Sequence, residues 1–381
     1  MRHYCWYGGR GGSGGYLNYL TGILRSGVIP EDCTVSLLCS QALADHLGPL
    51  DPQVRVIPVP ALANPIQARW WLRFQFADAV RALQPDVLFF ASGSIAPPPA
   101  GIPTVAPCHS LLFFDDVEYD KYRHTWMEWK YLRPMRRLHL ALYPTLAGLI
   151  FFTPYSRELV QRSLPSLPPS AIIPHGVEPA FLAKTPVPSI ANPPTRLLYV
   201  STVNLYKHQW QVIRAVKQLR QTTGIDYQLT LIGGADATAK KQLQRCLQAE
   251  EAQAFTTWQG AVDHRELPRY YREADLFVYA SSCESFGITL LEAMGSGLPV
   301  ACARRSGLPD LLGDAGEYFD PEEPAEIAAA ITRFATDPSH REACARRALA
   351  SVRAYTWRRC AEDTFAFLAK VAAQPPAGRL P

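Results

Sequence analysis

Short apolar runs alternate with amphipathic stretches along nearly the whole chain, and this alternation decides what it can fold into. The strand-like runs of the first half are CTVSLLCS (33–40), VRVIPVP (54–60), PDVLFFAS (85–92), PTVAPCH (103–109), GLIFFTP (148–154) and AIIPHGV (171–177). Helix-like stretches lie between several of them, notably 67–83 and 119–143. The alternation of strand runs with helical patterns predicts an α/β fold built on a mostly parallel, doubly wound sheet. The segment EPAFLAKTPVPSIANPPT (178–195) breaks the pattern. It is dense in proline, lacks periodicity and reads as an interdomain linker. The alternation then restarts with RLLYVST (196–202), YQLTLIGG (227–234), FTTWQGA (255–261), ADLFVYAS (274–281) and LPVACAR (298–304), and three amphipathic helices fill 323–371. The expected organisation is a domain over 1–180, a linker over 181–195, a second domain over 196–355 and a last helix over 356–373 that crosses back to the first domain. Ligands of open parallel sheets sit beyond the carboxyl ends of the strands. Residues just after strands are therefore the candidates for chemistry, and two such domains facing each other make a cleft.

A chain of 381 residues is long enough for two cores. Its net charge of +4 neither demands nucleic acid nor excludes an anionic small ligand. The nine cysteines are scattered, odd in number and without a CxxC pair, so buried reduced thiols are expected rather than disulfides or a zinc site. The start, MRHYCWYGGRGG, has no apolar core of a signal peptide. The longest apolar stretch, 138–152, contains His139, Pro144 and Gly148 and is too short to span a bilayer. The expected location is cytoplasmic.

The run SCESFGITLLEAMGSGLPV (282–300) carries two glutamates, Glu284 and Glu292, eight positions apart. Glu284 falls in the loop after the strand ADLFVYAS, and 287–295 reads as a helix. Free backbone N–H groups at such a helix start suit phosphate or sugar hydroxyls, and Gly287 permits close approach. Glu292 stands among Leu290, Leu291, Ala293 and Met294. A carboxylate there costs several kcal/mol if unpaired, which favours a polar ligand over a solvated surface charge.

Glu284-Ser-Phe-Gly-Ile-Thr-Leu-Leu-Glu292 with the following AMGSGLPV resembles the E-x7-E signature of retaining family 4 glycosyltransferases, which have the GT-B fold of two Rossmann-like domains. Further stretches match the family in order: the glycine-rich loop at 11–16, IPHGVEPAF (173–181), YQLTLIGG, WQGAVDHRELPRYYREADLFVYAS and SGLPDLLGDAGEYFDP. The resemblance implies that Glu292 accepts hydrogen bonds from the ribose of a nucleotide-sugar, that Glu284 lies near the transferred sugar, and that Ser285, Phe286, Gly287 and Ile288 hold sugar hydroxyls and diphosphate. It implies that Lys207 contacts the diphosphate and His109 the donor sugar, with Gly12, Gly14, Ser201, Asn204, Gly233 and Val262 in the donor site and Asp115 and Asp116 toward the acceptor. An arginine usual about five residues before the lysine is replaced by Thr202, with Arg10, Arg304 or Arg305 as substitutes. No cofactor and no metal site are implied. SGLPDLLGDAG resembles mannosyl- and rhamnosyl-transferring members, which leans toward GDP-mannose.

The implied activity is transfer of a sugar from a nucleotide diphosphate donor to a hydroxyl of a glycan or lipid-linked glycan. A nucleotide-sugar epimerase and a non-catalytic nucleotide-sugar binder are the rivals. The segment YDKYRHTWMEWKYLRPMRRLH (119–139) mixes cations with aromatics. It reads either as a surface helix with a buried aromatic face, ended or kinked by Pro134, or as a peripheral contact with the inner face of a membrane. Nothing in it resembles a nucleic-acid motif.

Overall fold

The computed structural model describes residues 1–11, 15–93, 95–185 and 195–374. Gly12, Gly14, residues 186–194 of the linker and the end of the tail from 375 lie outside the described residues. The chain divides into two units, Met1–Gly176 with Thr356–Pro381, and Val177–Tyr355.

The first unit is built on seven parallel strands: β1 (Arg2–Gly9), β2 (Cys33–Cys39), β3 (Val54–Pro58), β4 (Val87–Phe89), β5 (Thr104–Pro107), β6 (Gly148–Phe151) and β7 (Ser170–Ile172), in the order β3-β2-β1-β4-β5-β6-β7. The second has six: β8 (Arg196–Val200), β9 (Gln228–Ile232), β10 (Thr256–Trp258), β11 (Leu276–Tyr279), β12 (Val300–Ala303) and β13 (Glu317–Phe319), in the order β10-β9-β8-β11-β12-β13. Strand order reverses at β1/β4 and at β8/β11. These are the switch points of two doubly wound sheets, where crevices open at the carboxyl ends.

Beyond their first residues the central strands β1, β4, β8 and β11 are buried, as expected where helices cover both faces. In β1 the buried Trp6 stacks on Phe365 at 5.7 Å, while its neighbour Tyr7 meets Phe76 at 5.4 Å. Successive side chains of a strand point to opposite faces, so the Trp357–Ala372 helix and the Phe76–Leu83 helix lie on opposite sides of the first sheet. The last helix is keyed in by glycines. A Cβ on Gly22 would overlap the Trp357 indole, one on Gly176 the Trp357 backbone, and one on Gly148 would stand 2.9 Å from Phe367. All nine cysteines are free and buried. No helix among the described residues is long and apolar enough to cross a membrane.

Two expected helices are interrupted. The stretch 67–83 is two helices, Pro65–Phe74 and Phe76–Leu83, because Gln75 leaves the helical region at φ −121° and ψ −21°. The stretch 119–143 contains a short helix, Asp116–Asp120, a turn with His124 at φ +63°, a π-helical turn, Glu128–Leu132, and a helix, Arg133–Leu142. Pro134 lies in the first turn of the Arg133–Leu142 helix, directly after the π turn. It lacks an N–H and crowds the carbonyl four residues before it. The preceding π turn, in which the Arg133 N–H reaches back five residues to the Glu128 carbonyl, widens the helix to admit it. The tryptophans here are not buried: Trp126 is 73% exposed and Trp129 74%. The reading of a buried aromatic face is thereby corrected for these two residues.

Gly22→Val should destabilise the first unit by about 1–3 kcal/mol through overpacking against Trp357. Gly15→Ala, at a helical position with no atom within 4 Å of the added carbon, should leave stability equal or slightly raised. Thermal denaturation of the two variants checks the pair. An unchanged Tm for Gly22→Val would show that the last helix is not seated there.

Candidate functional site

At the carboxyl edge of the second sheet the chain leaves β8 at Ser201, whose N–H donates to the Ile232 carbonyl at 2.8 Å. A short turn, Leu205–Lys207, follows, and His208 at φ +50° redirects the chain into the Gln209–Thr223 helix. Gln209 is buried and its amide nitrogen donates to Ser201 Oγ and the Thr202 carbonyl, both at 3.0 Å. Asn204 Nδ2 donates to Thr202 Oγ1 at 3.3 Å. The polar residues after β8 thus brace one another. Gly233, at φ +140°, closes against them, since a Cβ there would overlap the Ser201 carbonyl.

Lys207 is buried, and its ammonium forms an ion pair with Glu284. Tyr279, at the end of β11, donates its hydroxyl to the same carboxylate oxygen of Glu284 at 2.5 Å and lies 3.4 Å from Lys207 Nζ. The backbone of Glu284 is clamped by Ser306. The Glu284 N–H donates to Ser306 Oγ at 2.7 Å, and the Ser306 hydroxyl donates to the Glu284 carbonyl at 2.9 Å. Ser306 takes φ +56°, a left-handed conformation that a serine adopts at some cost, held here by both hydrogen bonds. Gly287, at φ +98°, begins the Ile288–Gly295 helix, and no side chain caps it. A Cβ on Gly287 would stand 2.8 Å from Leu308. The start of this helix offers its N–H groups beside the Lys207–Glu284 pair.

Glu292 is 3% exposed, and the puzzle of its charge is resolved within the unit. Its Oε1 lies 3.0 Å from His264 Nε2, and its Oε2 accepts from the Tyr271 hydroxyl at 3.0 Å. The other ring nitrogen of His264 is 3.8 Å from Glu178. Burial alone would lower the pKa of His264, but the hydrogen bond and charge of Glu292, joined by Glu178 and Asp263, outweigh it and raise the pKa above the ordinary 6.5. His264 and Tyr271 escape the reading of the motif by itself. They stand 28 and 21 positions before Glu292, and only the fold brings them to it. Val262 is half-buried in the same loop as His264, after β10.

Two of the substitutes for the missing arginine are occupied on this edge. Arg305 pairs with Asp320 at 2.6 Å, and Arg304 lies 3.4 Å from the Tyr318 carbonyl. Arg10 belongs to the first unit and donates to the Leu62 carbonyl at 3.0 Å.

In the first unit His109 follows β5 at the carboxyl edge. Its Nε2 lies 3.2 Å from the Ala91 carbonyl, and its ring packs among Tyr19, Phe152 and His175 at centroid distances of 5.2, 5.2 and 6.3 Å. Burial pushes its pKa down to about 4 against the opposing pull of the Ala91 carbonyl, so the ring is neutral near pH 7. A Cβ on Gly93 would be 2.5 Å from this ring, so β4 and β5 approach there only because Gly93 lacks one. Asp115 caps the Asp116–Asp120 helix by accepting from the Glu118 N–H at 3.1 Å, and Asp116 pairs with Arg136 at 2.5 Å. Both carboxylates hold their own segment together.

Residues 21–181 match the family model for Glycosyltransferase Family 4, and residues 184–350 match the model for Glycosyl transferases group 1. O-antigen chain mannosyltransferase B of Escherichia coli is 32% identical over 167 residues, 44% of this chain and 44% of that protein. D-inositol 3-phosphate glycosyltransferase of Arthrobacter sp. is 29% identical over 171 residues, 44% of this chain and 41% of that protein. The matched stretch is thus less than half the length of either relative. Among solved structures, sucrose-phosphate synthase from Thermosynechococcus elongatus superposes with a TM-score of 0.76 at 19% identity, covering 98% of this chain and all (100%) of that one. HepE of Anabaena, in complex with UDP and glucose, superposes with a TM-score of 0.73 at 18% identity, covering 97% of this chain and 100% of that one. At these identities the likeness establishes the fold, that of the GT-B glycosyltransferases.

The raised pKa of His264 has a signed consequence. Its pairing with Glu292 contributes stability in full below the unfolded value of about 6.5, and that contribution is lost as pH rises through the higher folded value. Wild type should therefore exceed His264→Gln in stability at about pH 5.5, with the gap narrowing by about pH 8.5. Urea denaturation at the two pH values measures it. A gap that widens with pH would refute the pairing.

Proposed function

We propose, for a chain that belongs to the glycosyltransferases of group 1 and family 4, retaining transfer of a sugar from a nucleotide diphosphate donor to a hydroxyl of a glycan or lipid-linked glycan. The observation that carries this reading is the cluster of buried Lys207 and Tyr279 with the half-buried Glu284, beside a helix start at Gly287 that no side chain caps. As the bond from the anomeric carbon to the phosphate oxygen breaks, its electron pair goes to the diphosphate. Lys207 and the N–H groups of Phe286, Gly287 and Ile288 meet that growing charge, in an arrangement set before the reaction begins. The acceptor oxygen attacks the same face of the sugar and passes its proton to the departing phosphate oxygen, which retains the anomeric configuration. In this reading protein groups balance the charge, so no metal ion enters the step. In the free protein Glu284 occupies Lys207; a diphosphate competes for that cation, and Glu284 turns to the sugar. Glu292, held by His264 and Tyr271, keeps lone pairs for the ribose hydroxyls.

The donor in this reading is GDP-mannose; the mannosyl transfer in the name of the Escherichia coli relative supports the sugar. His109, Asp115 and Asp116 are assigned to the sugar and acceptor side, and Gly12, Gly14, Ser201, Asn204, Gly233, Val262 and Ser285 to the donor side. The protein acts in the cytoplasm against the inner face of the membrane, touching anionic lipid through 119–139. Exposure of Trp126 and Trp129 among cations supports that contact.

Lys207→Ala should lower kcat by about a hundredfold while affinity for the nucleoside monophosphate stays near wild type. Glu292→Gln should weaken nucleoside diphosphate binding by roughly 1.5–3 kcal/mol, one charge-assisted hydrogen bond. Product analysis with a nucleotide-sugar panel, with and without a chelator, and calorimetry with GDP and UDP test these statements. Wild-type turnover in Lys207→Ala, or full inhibition by the chelator, would overturn the mechanism.

A further inference from the structure

Exposed large apolar side chains cluster in this chain. Seven of the ten among the described residues fall within 66–74 and 117–131, and every tryptophan among them is there. The second of these segments carries the lipid contact proposed above. The first, the Pro65–Phe74 helix, has no assignment.

This helix buries only Ala68 and Trp71. Ile66, Trp70 and Phe74 follow each other at four-residue spacing, which aligns them in one stripe, and they are 79%, 54% and 58% exposed. The rings of Trp70 and Phe74 lie 5.5 Å apart, and the Arg73 guanidinium sits 5.5 Å from the Phe74 centroid. Arg69 is exposed beside them. From Val54 through Ala77 the chain contains Arg55, Arg69 and Arg73 and no acidic residue. A short helix with an apolar stripe, interfacial tryptophan and only cations on its flanks has the composition of one lying in the plane of an anionic bilayer.

The second segment shares that chemistry. Lys130 lies 4.4 Å over Trp126, with Arg133 and Arg137 following. Its acids are engaged within the segment: Glu118 pairs with Lys121 at 3.0 Å, Asp120 pairs with Arg123 at 2.8 Å, and Glu128 accepts from the His124 N–H at 2.8 Å and the Tyr119 hydroxyl at 3.4 Å. Topology puts both segments on one face of the first sheet. The crossovers β3→β4 and β5→β6 run in the same direction along the strand order, and right-handed crossovers in one direction lie on one face. A second copy of this chain is a poor occupant of the stripe, since a two-fold contact through it would set Arg69 and Arg73 against their own copies.

We propose that the Pro65–Phe74 helix is a second membrane contact of the first unit. Ile66, Trp70 and Phe74 enter the boundary between headgroups and acyl chains, and Arg69 and Arg73 meet lipid phosphates. The inference rests on the membrane reading of 119–139 and adds a separate element to it.

Because all nine native cysteines are buried, Gln67→Cys supplies an exposed thiol for an environment-sensitive fluorophore. With vesicles of phosphatidylglycerol and phosphatidylethanolamine the label should brighten and shift to the blue, and added salt should reverse the change. Pure phosphatidylcholine should leave it unchanged. Trp70→Ser/Arg73→Gln/Phe74→Ser should weaken vesicle binding by about tenfold with an unaltered Tm, and Trp126→Ser/Trp129→Ser should weaken it separately. A silent label on protein that still binds vesicles would overturn this inference and leave the contact at 119–139 standing. No binding to either vesicle would overturn both. An equal response to phosphatidylcholine would exclude anionic lipid as the ligand. A dimer in sedimentation that the triple variant abolishes would make a second copy the occupant instead.

Discussion

Strands buried on both faces constrain everything else in this protein. Parallel strands need a crossover each time the chain returns to the sheet, and right-handed crossovers send helices to one face or the other according to direction. Each sheet here reverses direction once, at β1/β4 and at β8/β11. The loops that leave those strands are therefore the ones spread apart from helical cover. Gly9 and Ser92 in the first unit, and Ser201 and the 281–284 loop in the second, stand at these positions for that topological reason.

The second consequence is electrostatic. Charges at a carboxyl edge are half withdrawn from water, and each must be answered by a partner. Lys207 with Glu284, and Glu292 with His264 and Tyr271, meet that demand inside one unit. An edge so arranged is ordered before any ligand arrives. Ser306 extends the order to the backbone, fixing the N–H and carbonyl of Glu284 with one hydroxyl. A departing diphosphate then meets dipoles that need little reorganisation.

Much of this was legible in the residues. The period of apolar runs, the proline-dense break and the glutamate pair lead to the fold class and the family. Other features were not. Glu292 looked unpaired because its partners come from a loop and a helix that no local pattern links to it. The tryptophans at 126 and 129 resemble core residues in composition, and their exposure, beside a left-handed turn at His124 and a π turn before Pro134, has no signal in the residues. Asp115 reads in sequence as a ligand candidate, and its cap on the Asp116–Asp120 helix is not legible there, since one side-chain acceptor after a strand serves either purpose. Ser306 is invisible in sequence, as its value lies in a backbone conformation.

The return of the last helix to the first sheet has a bearing on how the chain is made. Residues 177–355 form a contiguous unit, whereas the first unit needs Trp357, Phe365 and Phe367 against Gly22, Trp6 and Gly148. On a ribosome the second unit emerges whole while the first still waits for its closing helix. The half that is synthesised earlier is thus completed later, and its apolar groove stays unfilled in the nascent chain until the Trp357–Ala372 helix has been made.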